Sequence, residues 1–176
     1  LLGAGSPPYD ALVGFAWPGG ATGVSFPFAR GRADDTAPRF GRLLADLHGC
    51  GATVDLNTHS LGAHVTFEAL REASSQVVRN AWNFASAVDN ESIEHGERYF
   101  DASRQSARFY VFHSKNDPVL RVWYRLGDFP DFDTALGDFA YRLWLPRNRI
   151  RFRRQDHEAF VYQDVARVVP RLCMRL

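Results

Sequence analysis

Hydrophobic and polar positions along the chain follow two different periods. Five short segments have the length and pattern of strands, four of them rich in apolar residues and the fifth, R-I-R-F-R, alternating arginine with apolar residues. These runs comprise residues 11–17, 52–56, 79–87, 108–113 and 149–153. The chain therefore carries five predicted strands, spaced widely enough for helices to connect them.

Other segments place apolar residues at helical spacing. Phe40, Leu43, Leu44 and Leu47 recur at i, i+3, i+4 and i+7, and they predict a helix that Thr36 caps and Gly49 ends. Three further helices are predicted, one directly after Ser60, a short one over 118–126 and a last one that begins near Phe160 and ends near Pro170. Residues 21–35 are predicted to form a loop, and residues 90–105 show neither period.

This alternation of strands and helices predicts an α/β fold, with a mainly parallel sheet and helices on both of its faces. The 176 residues are expected to form a single domain, residues 1–176. Residues 127–148 are long, aromatic and irregular, and they predict either a lid-like insertion beside a site or additional core. Functional residues of such a sheet gather at the carboxyl ends of its strands.

The segment T-H-S-L-G at residues 58–62 lies between a predicted strand and a predicted helix. A serine at such a sharp turn is typical of the nucleophile elbow of serine hydrolases, so Ser60 is the candidate nucleophile. The backbone N–H of Leu61, at the helix N-terminus, is the candidate oxyanion donor. Thr58 departs from the usual G-x-S-x-G pattern, and a buried serine that opens an ordinary helix is the alternative.

A catalytic serine needs a base and an orienting carboxylate. Asp117 follows the predicted strand 108–113 and is the candidate acid, with Asp89, after the preceding strand, as the alternative acid. His157 follows the last predicted strand and is the candidate base, and His113 is the other candidate. The order serine, aspartate, histidine is that of α/β hydrolases.

These motifs together resemble the α/β-hydrolase superfamily, and within it a bacterial group of largely uncharacterised members. The shared segments are F-A-W-P at 15–18, the elbow at 58–62 with E-A-L at 68–70, S-K-N-D-P-V-L at 114–120, and His157. The resemblance implies the hydrolase fold from about residue 10 to 170. It also implies a strand and an oxyanion loop that precede the run at 11–17, so we expect an N-terminally truncated chain with an unassigned second oxyanion donor.

Composition excludes several other classes of function. The net charge is +1, so neither nucleic acid nor a membrane surface is indicated as a partner. No apolar run is long enough to span a membrane, and no residues have metal-ligand spacing. Cys50 and Cys173 leave a disulfide open, and the oligomeric state and compartment are also open, with the cytoplasm as the default.

The sequence thus predicts a serine hydrolase that acts on carboxylic esters through an acyl-enzyme on Ser60, without a cofactor. Its expected partner is a small-molecule ester or acyl substrate. The alternative is a catalytically inactive hydrolase-fold module for binding or assembly, which the truncation and Thr58 favour. A weaker alternative is an acyltransferase, since it shares the acyl-enzyme.

Overall fold

The computed structural model of the protein describes residues 9–19, 26–73, 76–113, 117, 120, 135–136 and 150–154. Within these residues, four strands and three helices are present. They are α1 (Phe26–Gly49), β1 (Asp55–His59), α2 (Gly62–Arg71), β2 (Val78–Phe84), α3 (Phe100–Arg104), β3 (Ser106–His113) and β4 (Ile150–Arg154). The strands form one sheet in the order β1-β2-β3-β4, with every neighbouring pair parallel. The predicted α/β class with a parallel sheet is confirmed.

The register brings the carboxyl ends of the strands to a common edge. His59 at the end of β1 pairs with Phe84, Phe84 pairs with Phe112, and His113 pairs with Arg154. Every segment that follows a strand therefore starts at the same edge of the sheet, which we call the carboxyl edge.

Two predicted strand boundaries are wrong at the carboxyl edge. The strand before Ser60 was predicted over 52–56 but is paired over Asp55–His59, because the ladder continues up to the turn at Ser60. The second was predicted over 79–87 but ends at Phe84. Ala85 adopts a φ of +47°, so the chain turns away from the sheet there.

Helix α1 begins ten residues before the predicted cap, so the predicted loop at 21–35 is wrong from residue 26 onwards. Thr36 is not a cap, because its hydroxyl donates to the carbonyl of Arg32 at 2.7 Å within the helix. The added turns bury Ala29 and Ala33, in line with Ala37. These small side chains let α1 pack closely against α2, a pattern that large apolar residues alone do not reveal.

The predicted strand at 11–17 is also wrong. The segment belongs to no helix and has no sheet pairing with any described residue, and Leu12 is 74% exposed. It is held by side chains instead, because Phe15 packs on Phe40 with ring centroids 4.5 Å apart and Trp17 packs against the core. The outer edge of β1 has no partner strand among the described residues.

Polar side chains tie this segment to the amino end of β1. The buried carboxylate of Asp55 accepts hydrogen bonds from the Tyr9 hydroxyl at 2.5 Å, from Arg79 at 2.6 and 2.9 Å, and from Asn80. Burial alone would raise the pKa of Asp55. The hydrogen-bond donors outweigh this effect of burial, so the pKa lies below its usual value. The cluster lies at the edge of the sheet opposite Ser60, so it supports the fold rather than the site.

The described helices form one contiguous layer, with α1 against α2 and α2 against α3. Phe67 of α2 packs on Phe109 of the sheet, which faces this layer, with ring centroids 5.3 Å apart. None of the described helices has the length and apolar character required to cross a membrane. The predicted helices over 118–126 and after Phe160 lie outside the described residues, as does most of the predicted lid over 127–148.

Candidate active site

Ser60 lies in a sharp turn between β1 and α2. Its φ of +52° is in the left-handed region, which is uncommon for a residue other than glycine. The Ser60 N–H donates to the carbonyl of Phe84 at 2.9 Å, and its own carbonyl accepts from Ala63 at 3.0 Å and Ala87 at 3.1 Å. Main-chain hydrogen bonds on both sides therefore hold this strained turn, and the half-buried Ser60 keeps access to solvent.

Thr58 occupies the position where the common motif has glycine, two residues before the turn. Its side chain is buried, and its hydroxyl donates to the side-chain oxygen of Asn83, the residue paired with it on β2, at 2.9 Å. The amide of Asn83 in turn donates to the carbonyl of Tyr110 on β3 at 3.1 Å. A cross-strand hydrogen bond therefore accommodates the β-branched residue, so Thr58 does not disturb the turn.

Replacing Thr58 by valine is expected to lower the free energy of unfolding by about 1–3 kcal/mol, because the buried Asn83 oxygen loses its donor while the shape is kept. Urea denaturation monitored by circular dichroism measures the change. The matched control is Thr53→Val, at an exposed position just before β1, which should stay within about 0.5 kcal/mol of the parent. If both substitutions lowered the free energy of unfolding equally, the stabilising role of the Thr58 hydroxyl would be contradicted.

The residue after the nucleophile starts the helix as predicted. Leu61 is the N-cap of α2, and no described backbone carbonyl accepts a hydrogen bond from its N–H. A Cβ atom built at Gly62, the next residue, would meet no described atom within 4 Å apart from its chain neighbours and the backbone of its own helix. The first N–H groups of α2 thus lie at a helix end that favours negative charge. This placement suits an oxyanion donor, and the role of Leu61 stays a prediction.

Asp117, the candidate acid, follows β3 by four residues. Its side chain is 0% exposed, and one carboxylate oxygen accepts the N–H of Leu120 at 3.1 Å. Leu120 itself packs in a small buried cluster with Leu61 and Ala85. This cluster therefore links the loop of Asp117 to the turn of Ser60.

Asp89, the alternative acid, follows β2 by five residues and is half-buried. Its carboxylate accepts the N–H of Glu91 at 3.1 Å, and its carbonyl accepts the hydroxyl of Ser92 at 2.5 Å. Asp89 also forms an isolated antiparallel bridge with Ala135. These bonds are those of a residue that shapes a turn. Asp117 differs in its burial, because its side chain is 0% exposed.

The candidate base, His157, lies outside the described residues. The strand before it, β4, pairs in parallel with β3 and ends at Arg154, three residues upstream of His157. His113, the other candidate base, is the last residue of β3 and is half-buried. The structure therefore places Ser60, Asp89, Asp117 and His113 at or just beyond the carboxyl edge, and the role of His157 stays a prediction.

A polar network between α2, α1 and the segment before α3 was not predicted from the sequence, and it joins the buried residues His64, Glu68 and Tyr99 to the exposed Asp34 and Arg98. His64 Nε2 lies 2.7 Å from an Asp34 carboxylate oxygen, and His64 Nδ1 lies 3.4 Å from the Tyr99 hydroxyl. Tyr99 donates to Glu68 at 2.6 Å, and Arg98 forms an ion pair with the same carboxylate. Burial lowers the pKa of His64, and burial followed by the Glu68 contact raises the pKa of Tyr99.

Three ligand atoms of this network, from Asp34, His64 and Glu68, lie within 4.8 Å of one another. Sequence spacing did not reveal the group, because its members come from two helices. Glu68 is already paired with the guanidinium groups of Arg98 and, at 3.1 Å, Arg71. The network therefore fits an ion-paired clamp that holds α2 against α1 and against the segment before α3. His64 and Glu68 are four residues apart, which places them on the same face of helix α2, and this spacing was the one local sign of the network in the sequence.

A comparison with protein-family models matches residues 5–128 to a family described as alpha/beta hydrolase of unknown function (DUF900). The match covers well over half of the chain and includes Ser60, Leu61, Asp89 and Asp117. Searches of curated proteins and of solved structures found no match.

Proposed function

The chain belongs to the DUF900 family of α/β hydrolases, and on that basis we propose that it is a serine hydrolase that cleaves carboxylic esters through an acyl-enzyme on Ser60. The observation that carries the proposal is the left-handed backbone of Ser60, at φ +52° between a parallel strand and a helix. Strain of this kind at a non-glycine residue is expected where it positions a reacting group. An ordinary helix start does not need it.

In the proposed reaction, the Ser60 hydroxyl attacks the acyl carbon of the ester. His157 takes the serine proton and returns it to the leaving alcohol, while Asp117 holds the imidazole in the required tautomer. The Leu61 N–H stabilises the negative charge that develops on the carbonyl oxygen. Water then attacks the acyl-enzyme, and His157 acts again as base and then acid to release the carboxylic acid.

Two other functions remain as alternatives to hydrolysis. An inactive binding or assembly module was favoured by Thr58, but the bond from Thr58 to Asn83 removes the expectation that Thr58 disturbs the turn. An acyltransferase would share every step up to the acyl-enzyme and differ in the acceptor. Analysis of the products formed with alcohol acceptors present distinguishes transfer from hydrolysis.

A fluorophosphonate probe tests the nucleophile directly. We expect the full chain to gain the mass of one phosphonyl group, as measured by intact-protein mass spectrometry, because the probe reacts with an activated serine. Ser60→Ala should gain none. The matched control is Ser103→Ala, which removes a buried hydroxyl that donates to the carbonyl of Phe100 on α3, and it should be labelled like the parent.

Two results would contradict the proposal. One is an unlabelled parent protein under conditions where its folded state is verified by circular dichroism. The other is labelling of Ser60→Ala at the parental rate, which would assign the reactive group to another residue.

A further inference from the structure

Ser86 is a fully buried serine whose hydroxyl oxygen has no hydrogen-bond partner among the described residues. A buried hydroxyl without a partner reduces stability, and native proteins rarely keep one without a reason. By comparison, the buried Ser103 donates its hydroxyl to the carbonyl of Phe100 at 2.7 Å. The lack of a described partner for the Ser86 hydroxyl therefore requires an explanation.

The main chain fixes Ser86 between the nucleophile and the end of β3. The residue before it, Ala85, donates its N–H to the carbonyl of Phe112 at 3.0 Å. The residue after it, Ala87, donates its N–H to the carbonyl of Ser60 at 3.1 Å. Ala85 also has a φ of +47°, so the chain leaves β2 in a second left-handed turn beside that of Ser60. Ser86 thus occupies a constrained position at the carboxyl edge.

The loop of the candidate acid packs against the same position. Ala85 and Ala87 share a buried cluster with Leu120, whose N–H is bound by the Asp117 carboxylate at 3.1 Å. Asp117 is 0% exposed, like Ser86. A carboxylate accepts several hydrogen bonds, and a hydroxyl changes its direction by rotation about a single side-chain bond.

We propose that Ser86 is a positioning residue, whose hydroxyl donates a hydrogen bond to the Asp117 carboxylate in the catalytically competent arrangement. This inference rests on the proposed function, because it assigns Asp117 as the acid of that reaction. This hydrogen bond fixes the orientation in which the carboxylate meets the imidazole of His157. The role explains why the Ser86 hydroxyl has no partner among the described residues of the resting fold.

The substitution Ser86→Ala tests the role, since it removes only the hydroxyl oxygen. We expect kcat for a p-nitrophenyl ester to fall about tenfold with KM unchanged, and the rate of fluorophosphonate labelling to fall by the same factor. The melting temperature should not decrease, because no described hydrogen bond is lost. Ser103→Ala should show the opposite pattern, with a lower melting temperature and parental kcat.

The outcomes separate this inference from the proposed function. Parental kcat in Ser86→Ala, with Ser60 labelled as expected, would overturn the role of Ser86 alone. A lower melting temperature or loss of the fold in Ser86→Ala would also overturn it, because the hydroxyl would then be structural. Parental activity in Asp117→Asn would remove the acceptor and the inference with it. A parent protein that is not labelled at Ser60 would overturn both proposals.

Discussion

Replacing His157 by alanine is expected to lower kcat for ester hydrolysis by about 10⁵- to 10⁶-fold, because Ser60 then has no group to take its proton. Steady-state hydrolysis of a p-nitrophenyl ester measures the loss. The residual rate should rise when imidazole is added, since a small base can enter the space that the side chain leaves. The matched control is His48→Ala, an exposed histidine in the last turn of α1, which should keep parental kcat.

The outcome also decides between the two candidate bases. A His157→Ala variant that keeps kcat within tenfold of the parent would contradict the proposed role. If His113→Ala then lost the activity, the base would be the histidine that ends β3, at the carboxyl edge beside the loop of Asp117.

Replacing Asp117 by asparagine is expected to lower kcat by about 10⁴-fold, because an amide no longer stabilises the imidazolium or selects its tautomer. The side-chain oxygen that accepts the N–H of Leu120 is retained in asparagine, so the loop should keep its conformation. Comparing kcat with the melting temperature of the same variant separates a chemical effect from unfolding.

The corresponding change at the alternative acid, Asp89→Asn, serves as the comparison. Asparagine still accepts the N–H of Glu91, so the turn should persist and kcat should change by less than about tenfold. The reverse pattern, with a large loss at Asp89 and a small one at Asp117, would transfer the role of the acid to the loop after β2.

The sheet was largely predictable because its strands overlap short segments that carry β-branched and aromatic residues and end at polar or turn-forming residues. The runs at 108–113 and 149–153 differ from β3 and β4 by only one or two residues at either end. The run at 11–17 has the same composition but no sheet pairing with described residues, since pairing depends on a neighbouring strand rather than on local sequence. Helix α1 was underestimated because the described residues that are buried in its first turns are alanines rather than large apolar residues.

The turn at Ser60 was predictable because its sequence specifies a local shape between two recognisable elements. The hydrogen bond from Thr58 to Asn83 was not, since it joins positions 25 residues apart. The same holds for the clamp of His64, Asp34 and Glu68, which requires two helices to be packed before its members meet. The lack of a partner for the Ser86 hydroxyl among the described residues is visible only once the structure gives its burial and hydrogen bonds.

The turn at Ser60 is held mainly by peptide groups, through its bonds to Phe84, Ala63 and Ala87. Peptide groups are common to all amino acids, so they persist when side chains are exchanged during evolution. Lineages that inherit this scaffold can therefore diversify the surroundings of the nucleophile, and adapt to new acyl groups, without rebuilding the nucleophile itself.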